Sequence, residues 1–204
     1  YSATRYITGS AAAGTALATG HKTSINTISL SADRKDTVYS VAYYANKKGV
    51  TTGIVTSVSI DHATPAAFYA HQPLRDMYHN ISHDLINSGY RFFGGGGFID
   101  PEGKRVEKPL GNVFDKGKEK GVFFTKELEI PDSVLSGENT IVYSAPNPAT
   151  GSSLQYHIDK SETDVSLSDI TKLALSVVDN PEGFFLMVEG GKIDWSCHNN
   201  DAIT

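Results

Sequence analysis

An aspartate and a histidine four residues apart, Asp194 and His198, follow a glutamate at the start of Glu189-Gly-Gly-Lys-Ile-Asp194-Trp-Ser-Cys-His198. Leaving a strand end, such a pair can reach one divalent ion, and a carboxylate with an imidazole suits Zn²⁺. The same spacing is also common as plain surface decoration. A second feature is Ser10, which heads Ser10-Ala-Ala-Ala-Gly14-Thr-Ala-Leu-Ala-Thr19-Gly20, a run with almost no bulk. Either this is a tightly packed helix with an ordinary serine cap, or the hydroxyl is presented for chemistry. A hydroxyl is a weak nucleophile at neutral pH until a base or metal draws off its proton. At a helix start it meets the positive end of the macrodipole, where an anion is favoured.

Other readings fall away. Gly14 to Thr23 imitates a phosphate-binding loop, but Gly14 and Gly20 stand one residue too far apart and His21 splits glycine from Lys22. The four glycines 94–97 read as a strand-end turn rather than a phosphate cradle. His21, His71, His79, His83 and His157 show no ligand spacing, and Cys197, next to His198, reads as a small buried side chain. Arg75 follows Thr64 by about three helical turns, with Pro73 between, and by itself reads as a surface arginine.

Those residues need elements to hold them. The chain has 204 residues, 39% hydrophobic and 20% charged, enough for one core. A formal charge of −5 speaks against nucleic acid, and no apolar run reaches the roughly 18 residues of a membrane span. The lone cysteine excludes an internal disulfide. Helices are expected over Ser10–Thr19, about Asp36–Lys48 and about Asp76–Ser88, each closed by a glycine, and from Ser166 behind a capping-box start. Thr64-Pro65 reads as an N-cap with proline at the first helical position. Buried strands are expected at Val50–Ile60, Tyr90–Phe93 and Gly183–Val188, with shorter pieces at Gly121–Phe124 and Asn139–Tyr143. Alternating strands and helices predict an α/β fold, a three-layer α/β/α sandwich on a largely parallel sheet, with a less regular insert at about 98–164. In such folds ligands sit beyond the carboxyl ends of strands, where 61–64, 94–97 and 189–198 converge.

Together, three blocks resemble the alkaline phosphatase family: Ser10 to Gly20, His62-Ala-Thr-Pro-Ala-Ala-Phe-Tyr-Ala-His71 with Arg75 behind it, and Gly183 to Asp194 with His198. The resemblance implies hydrolysis of small phosphate monoesters at a two-zinc plus magnesium site. Ser10 is then the nucleophile that becomes phosphoserine, and Arg75 the guanidinium that grips two phosphate oxygens as a lysine could not. Asp194 and His198 are implied as zinc ligands, and Glu189 and Thr64 as magnesium ligands. His62 takes a position held by aspartate or histidine among members. The resemblance also implies a periplasmic or secreted parent, often a homodimer.

Two departures qualify this. Gly9 stands where the family has an aspartate that helps to hold the arginine, which predicts weaker phosphate binding, and Trp195 stands where others carry a basic residue. The chain has no initiator methionine or signal peptide and breaks off inside patterned sequence, so it is expected to be a piece of something longer. The remaining zinc ligands and a bridging aspartate are expected outside it, and the isolated chain is expected to be inactive or nearly so. The alternatives are a phosphodiesterase or sulfatase-like relative, or a metal-poor structural domain.

Overall fold

The computed structural model describes residues 2–203. Five parallel strands form one sheet in the order β3-β4-β2-β1-β5, with β1 Thr51–Thr56, β2 Phe92–Gly95, β3 Phe123–Thr125, β4 Ile141–Ser144 and β5 Phe184–Glu189. Period-two alternation sends neighbouring residues to opposite faces. Ile54, Phe93 and Val142 enter one core, and Val55, Phe92 and Ile141 the other. The first core is closed by α2 (Val41–Lys47), α3 (Ala63–Ala66), α4 (Tyr78–Asn87) and α5 (Val113–Glu119). The second is closed by α7 (Leu167–Val178), through Ile170, Leu173, Ala174 and Val178. The layers are therefore α/β/α around an all-parallel sheet.

The first helix, α1 (Ser10–Thr19), ends as read, with Gly20 left-handed at φ 76°. Its small residues allow a close approach to a neighbouring element. They bring α1 against α3, not onto the sheet, and a Cβ on Gly14 would lie 3.2 Å from the Ala67 methyl. The α7 capping box is present, with Ser166 and Asp169 exchanging backbone bonds.

Several boundaries move. α2 starts only at Val41, because Thr37 pairs with Leu30 as an isolated bridge and the Ser40 hydroxyl caps the helix by accepting from Tyr43 N–H. β1 stops at Thr56, level with Glu189, where its partner β5 also ends. Thr64 is not an N-cap; His62 holds that place and Thr64 lies inside α3. Gly94 and Gly95 belong to β2 rather than ending it. Gly96 is there for close packing, since a Cβ would fall 1.9 Å from the Ser152 carbonyl oxygen. The segment 98–164 is better ordered than its composition suggests, carrying α5, β3, α6 (Asp132–Leu135) and β4. Cys197 is exposed, contrary to the buried reading.

Candidate functional site

Beyond the carboxyl ends of β1 and β5 opens a cavity of about 620 Å³, within the usual size range of small-molecule sites. Ser10, His62, Thr64, Arg75, Glu189, Asp194 and His198 all line it, with Gly9 and Trp195. These residues lie as much as 188 positions apart in sequence, so only the fold brings them together.

Ser10 is the first residue of α1 and not its cap. Gly9 occupies the cap position without a side-chain bond, and among the described residues the Ser10 hydroxyl has no hydrogen-bond partner. The serine is presented, at the positive end of a ten-residue helix. Arg75 reaches the cavity from an irregular segment rather than from a continued α3. Its backbone N–H donates to the Asn26 carbonyl at 2.7 Å, and its Nη2 donates to His62 Nε2 at 3.0 Å. Arginine has only donors, so Nε2 is the acceptor and the His62 proton sits on Nδ1. That nitrogen is buried without a partner. Burial first, then the Arg75 charge, lowers the His62 pKa to about 4. Trp195 stacks edge-on against the same ring, with centroids 6.0 Å apart.

Glu189 closes β5, and its carboxylate accepts from the Thr56 hydroxyl at 2.6 Å. Burial raises its pKa, against opposing hydrogen bonds from Thr56 and Thr64. Asp194 and His198 share one face of α8 (Gly191–His198), their nearest atoms 3.6 Å apart, with side chains 60% and 78% exposed.

These donors divide by chemistry. Glu189 and the Thr64 hydroxyl offer hard oxygens suited to magnesium, while Asp194 and His198 offer the carboxylate and imidazole that zinc accepts. His62 does not fit a metal as it stands, because its only lone-pair nitrogen faces Arg75. Among the described residues no group of three or more His, Cys, Asp or Glu side chains is placed to hold an ion.

Two residues escaped the sequence reading. Thr56 fixes the Glu189 carboxylate, and only its place at the end of a buried strand hinted at that. Asp61 is fully buried, with Oδ2 accepting from Ile99 N–H at 2.9 Å and the Ser82 hydroxyl at 3.2 Å, while among the described residues Oδ1 has no well-aligned partner and the Ser59 hydroxyl acts on the carboxyl group from close by. Burial raises its pKa from 3.8 to about 6.

Asp61 and His62 have opposite linkage. Between pH 4 and 6 the folded chain holds an Asp61 proton that the unfolded chain has released, so this contribution weakens as pH rises. Over the range from about 4 to 6.5 the unfolded chain binds a His62 proton that the folded chain excludes, so that contribution strengthens as pH rises. The two slopes oppose each other. His62→Gln removes the second, so the slope of urea-unfolding stability against pH between 4 and 6 should become more negative than in the unaltered chain by about 1 kcal/mol per pH unit. An unchanged slope would refute the His62 assignment.

The comparisons with known proteins bear on family and fold. A sequence profile of the alkaline phosphatase family matches residues 1–90 and 149–204. The chain is 34% identical to alkaline phosphatase 4 of Bacillus subtilis (strain 168), over 97% of its own length and 42% of the relative's. It is 29% identical to the tissue-nonspecific isozyme of Gallus gallus, over 99% of itself and 47% of that protein. The structure superposes on the alkaline phosphatase from the Antarctic bacterium TAB5 with a TM-score of 0.82 and 29% identity, covering 99% of this chain and 56% of that one. For the Thermus thermophilus enzyme the TM-score is 0.79 at 28% identity, covering 99% and 42%. The chain spans less than half the length of the curated relatives it matches. Residues 91–148 lie outside the profile match, yet β2, β3 and β4 carry them into the common sheet. With 146 of its 204 residues matched, 90 plus 56, the chain belongs to the alkaline phosphatase family.

Proposed function

We propose that the longer protein hydrolyses small phosphate monoesters through a phosphoserine at Ser10. The observation that carries this reading is the unengaged Ser10 hydroxyl at the start of α1, sharing one cavity with Arg75 and with Glu189 and Asp194. The Arg75 guanidinium holds two nonbridging phosphate oxygens, and the α1 N-terminus faces the same charge. Ser10 Oγ forms a bond to phosphorus as the bond to the ester oxygen breaks, and the leaving alcohol takes up a proton. Water then attacks the phosphoserine, releasing inorganic phosphate and restoring the hydroxyl. Zinc at Asp194 and His198, and magnesium at Glu189 and Thr64, would supply Lewis acidity for activating the nucleophiles and neutralising developing charge.

His62 acts in this scheme as the acceptor that orients Arg75, and not as an ion ligand. The remaining metal ligands come from outside these 204 residues, and the isolated chain has little or no activity. A periplasmic or secreted location and a homodimer belong to the same proposal. Among the described residues no helix is long and apolar enough to cross a membrane.

The test is turnover of p-nitrophenyl phosphate and of bis(p-nitrophenyl) phosphate by the longer protein with zinc and magnesium, before and after chelation. The monoester should be strongly preferred, and chelation should abolish its turnover reversibly. Preference for the diester would move the protein to a phosphodiesterase-like relative. Full activity after chelation would refute metal dependence, and zinc-dependent turnover by the 204-residue chain would refute its incompleteness.

A further inference from the structure

A second cavity, about 290 Å³, lies against α8 on the side away from Ser10. At 100° per residue, Gly191, Asp194, Trp195 and His198 project toward the first cavity, while Lys192, Ile193 and Ser196 project toward the second. The second is mainly apolar, with Leu154, Val165, Leu167 and Ile193 on its walls, and Lys192, Lys160 and His157 add basic groups.

Lys192 is the unusual member. Its Nζ sits 3.4 Å from the Tyr156 ring centre and 5.1 Å from that of Trp195, and donates to the Ser153 hydroxyl at 3.3 Å. Its backbone N–H is fixed on the Ser57 hydroxyl at 3.2 Å. Among the described residues no carboxylate lies within 4.0 Å of this ammonium, although the Asp159 charge acts on it from farther away. Lys160, by contrast, has Asp169 at 3.9 Å. Two aromatic faces and one hydroxyl compensate a half-buried ammonium only in part, and the term they leave out is a counter-charge. A cation held in place, without its anion, on the wall of an apolar cavity is a recognition element.

We propose that this cavity binds an organic monocarboxylate with an apolar body, its carboxylate on Lys192 and its body against Leu154, Leu167 and Ile193. A carboxylate is favoured over a phosphate because Lys192 is the lysine on this wall with no carboxylate within 4.0 Å among the described residues, Lys160 having Asp169 at 3.9 Å, and because the wall has no guanidinium fork. The cavity is near the lower end of the size range of small-molecule sites, which suits a ligand of about ten heavy atoms. The proposal is independent of the phosphatase reading, since none of its residues touches Ser10 or Arg75.

The chain's single tryptophan, Trp195, lines the first cavity, but Lys192 Nζ lies 5.1 Å from its ring, so its fluorescence responds to binding in either cavity and the variants below separate the two. Titrating the protein with 3-phenylpropanoate should give a saturable change in tryptophan fluorescence, with 3-phenylpropanol binding roughly tenfold or more weakly. Lys192→Met should weaken the acid by a similar factor, with Lys192→Arg retaining most of the affinity. Ser10→Ala and Arg75→Met should leave it unchanged, whatever they do to phosphatase activity. Equal affinity for acid and alcohol would overturn the proposal, as would loss of binding in Arg75→Met with Lys192→Met unaffected, or no saturable response. If Lys192→Met does not fold, the acid-to-alcohol comparison on the unaltered protein still decides.

Discussion

Ser10→Ala in the longer protein is expected to lower kcat for p-nitrophenyl phosphate by on the order of 10⁴-fold or more, while inorganic phosphate still binds within a few-fold of its former affinity. The first half follows from removing the hydroxyl that the proposed function makes the nucleophile, a loss of the size seen when other hydrolases lose theirs. The second half follows from the structure. Among the described residues the Ser10 hydroxyl has no hydrogen bond to lose, and neither Arg75 nor the α1 backbone depends on it. Alanine is moreover a good helix residue at a position already flanked by alanines. Stability should therefore change little, and the kinetic effect cannot be blamed on unfolding. Acid-quenched protein should carry phosphate on Ser10 before the change and none after it. Retention of more than about a hundredth of the turnover would reject Ser10 as the nucleophile, because hydroxide from bulk water cannot replace it at that rate.

What the sequence disclosed about this site follows from how local each signal is. The α1 boundaries were readable because Ser10 heads the small-residue run and Gly20 stops it, whereas α2 was overextended because Thr37-Val-Tyr continues an apolar pattern that the Leu30 bridge turns into extended chain. The five strands are apolar runs and were all placed, with edges shifted to where the neighbouring strand stops. In the segment 98–164, α5 was missed because Val113-Phe-Asp-Lys-Gly-Lys-Glu119 has a central glycine and buries only Val113 and Gly117, too little for a helical stripe. Candidate residues emerged as types at strand ends, but contacts between distant segments did not. Nothing in the spacing of residues 62 and 75 places a ring nitrogen 3.0 Å from a guanidinium, and nothing in residues 56 and 189 announces a 2.6 Å bond between them.

That first contact changes what Gly9 means. With an aspartate absent before the serine, Arg75 was expected to be loosely held; instead His62 Nε2 accepts from it, and the Asn26 carbonyl fixes its backbone. Arg75→Lys should then raise KM or the phosphate Kd on the order of a hundredfold, since an ammonium supplies one point charge where the fork supplied two parallel bonds. His62→Ala should weaken phosphate binding by roughly tenfold through the freed guanidinium, a loss the size of one charge-assisted hydrogen bond. Gly9→Asp is sterically open, because a Cβ there meets only Asn26 Oδ1 at 4.0 Å, and φ of −115° suits any residue. In the unaltered background it should gain little, the arginine being held already. In the His62→Ala background it should recover most of the lost affinity, since a carboxylate then becomes the acceptor that Arg75 lacks. A double-mutant cycle on phosphate Kd measures this directly. Additive effects of the two changes would show that His62 and residue 9 do not serve the same guanidinium, and a large gain from Gly9→Asp alone would show that His62 leaves Arg75 free to wander.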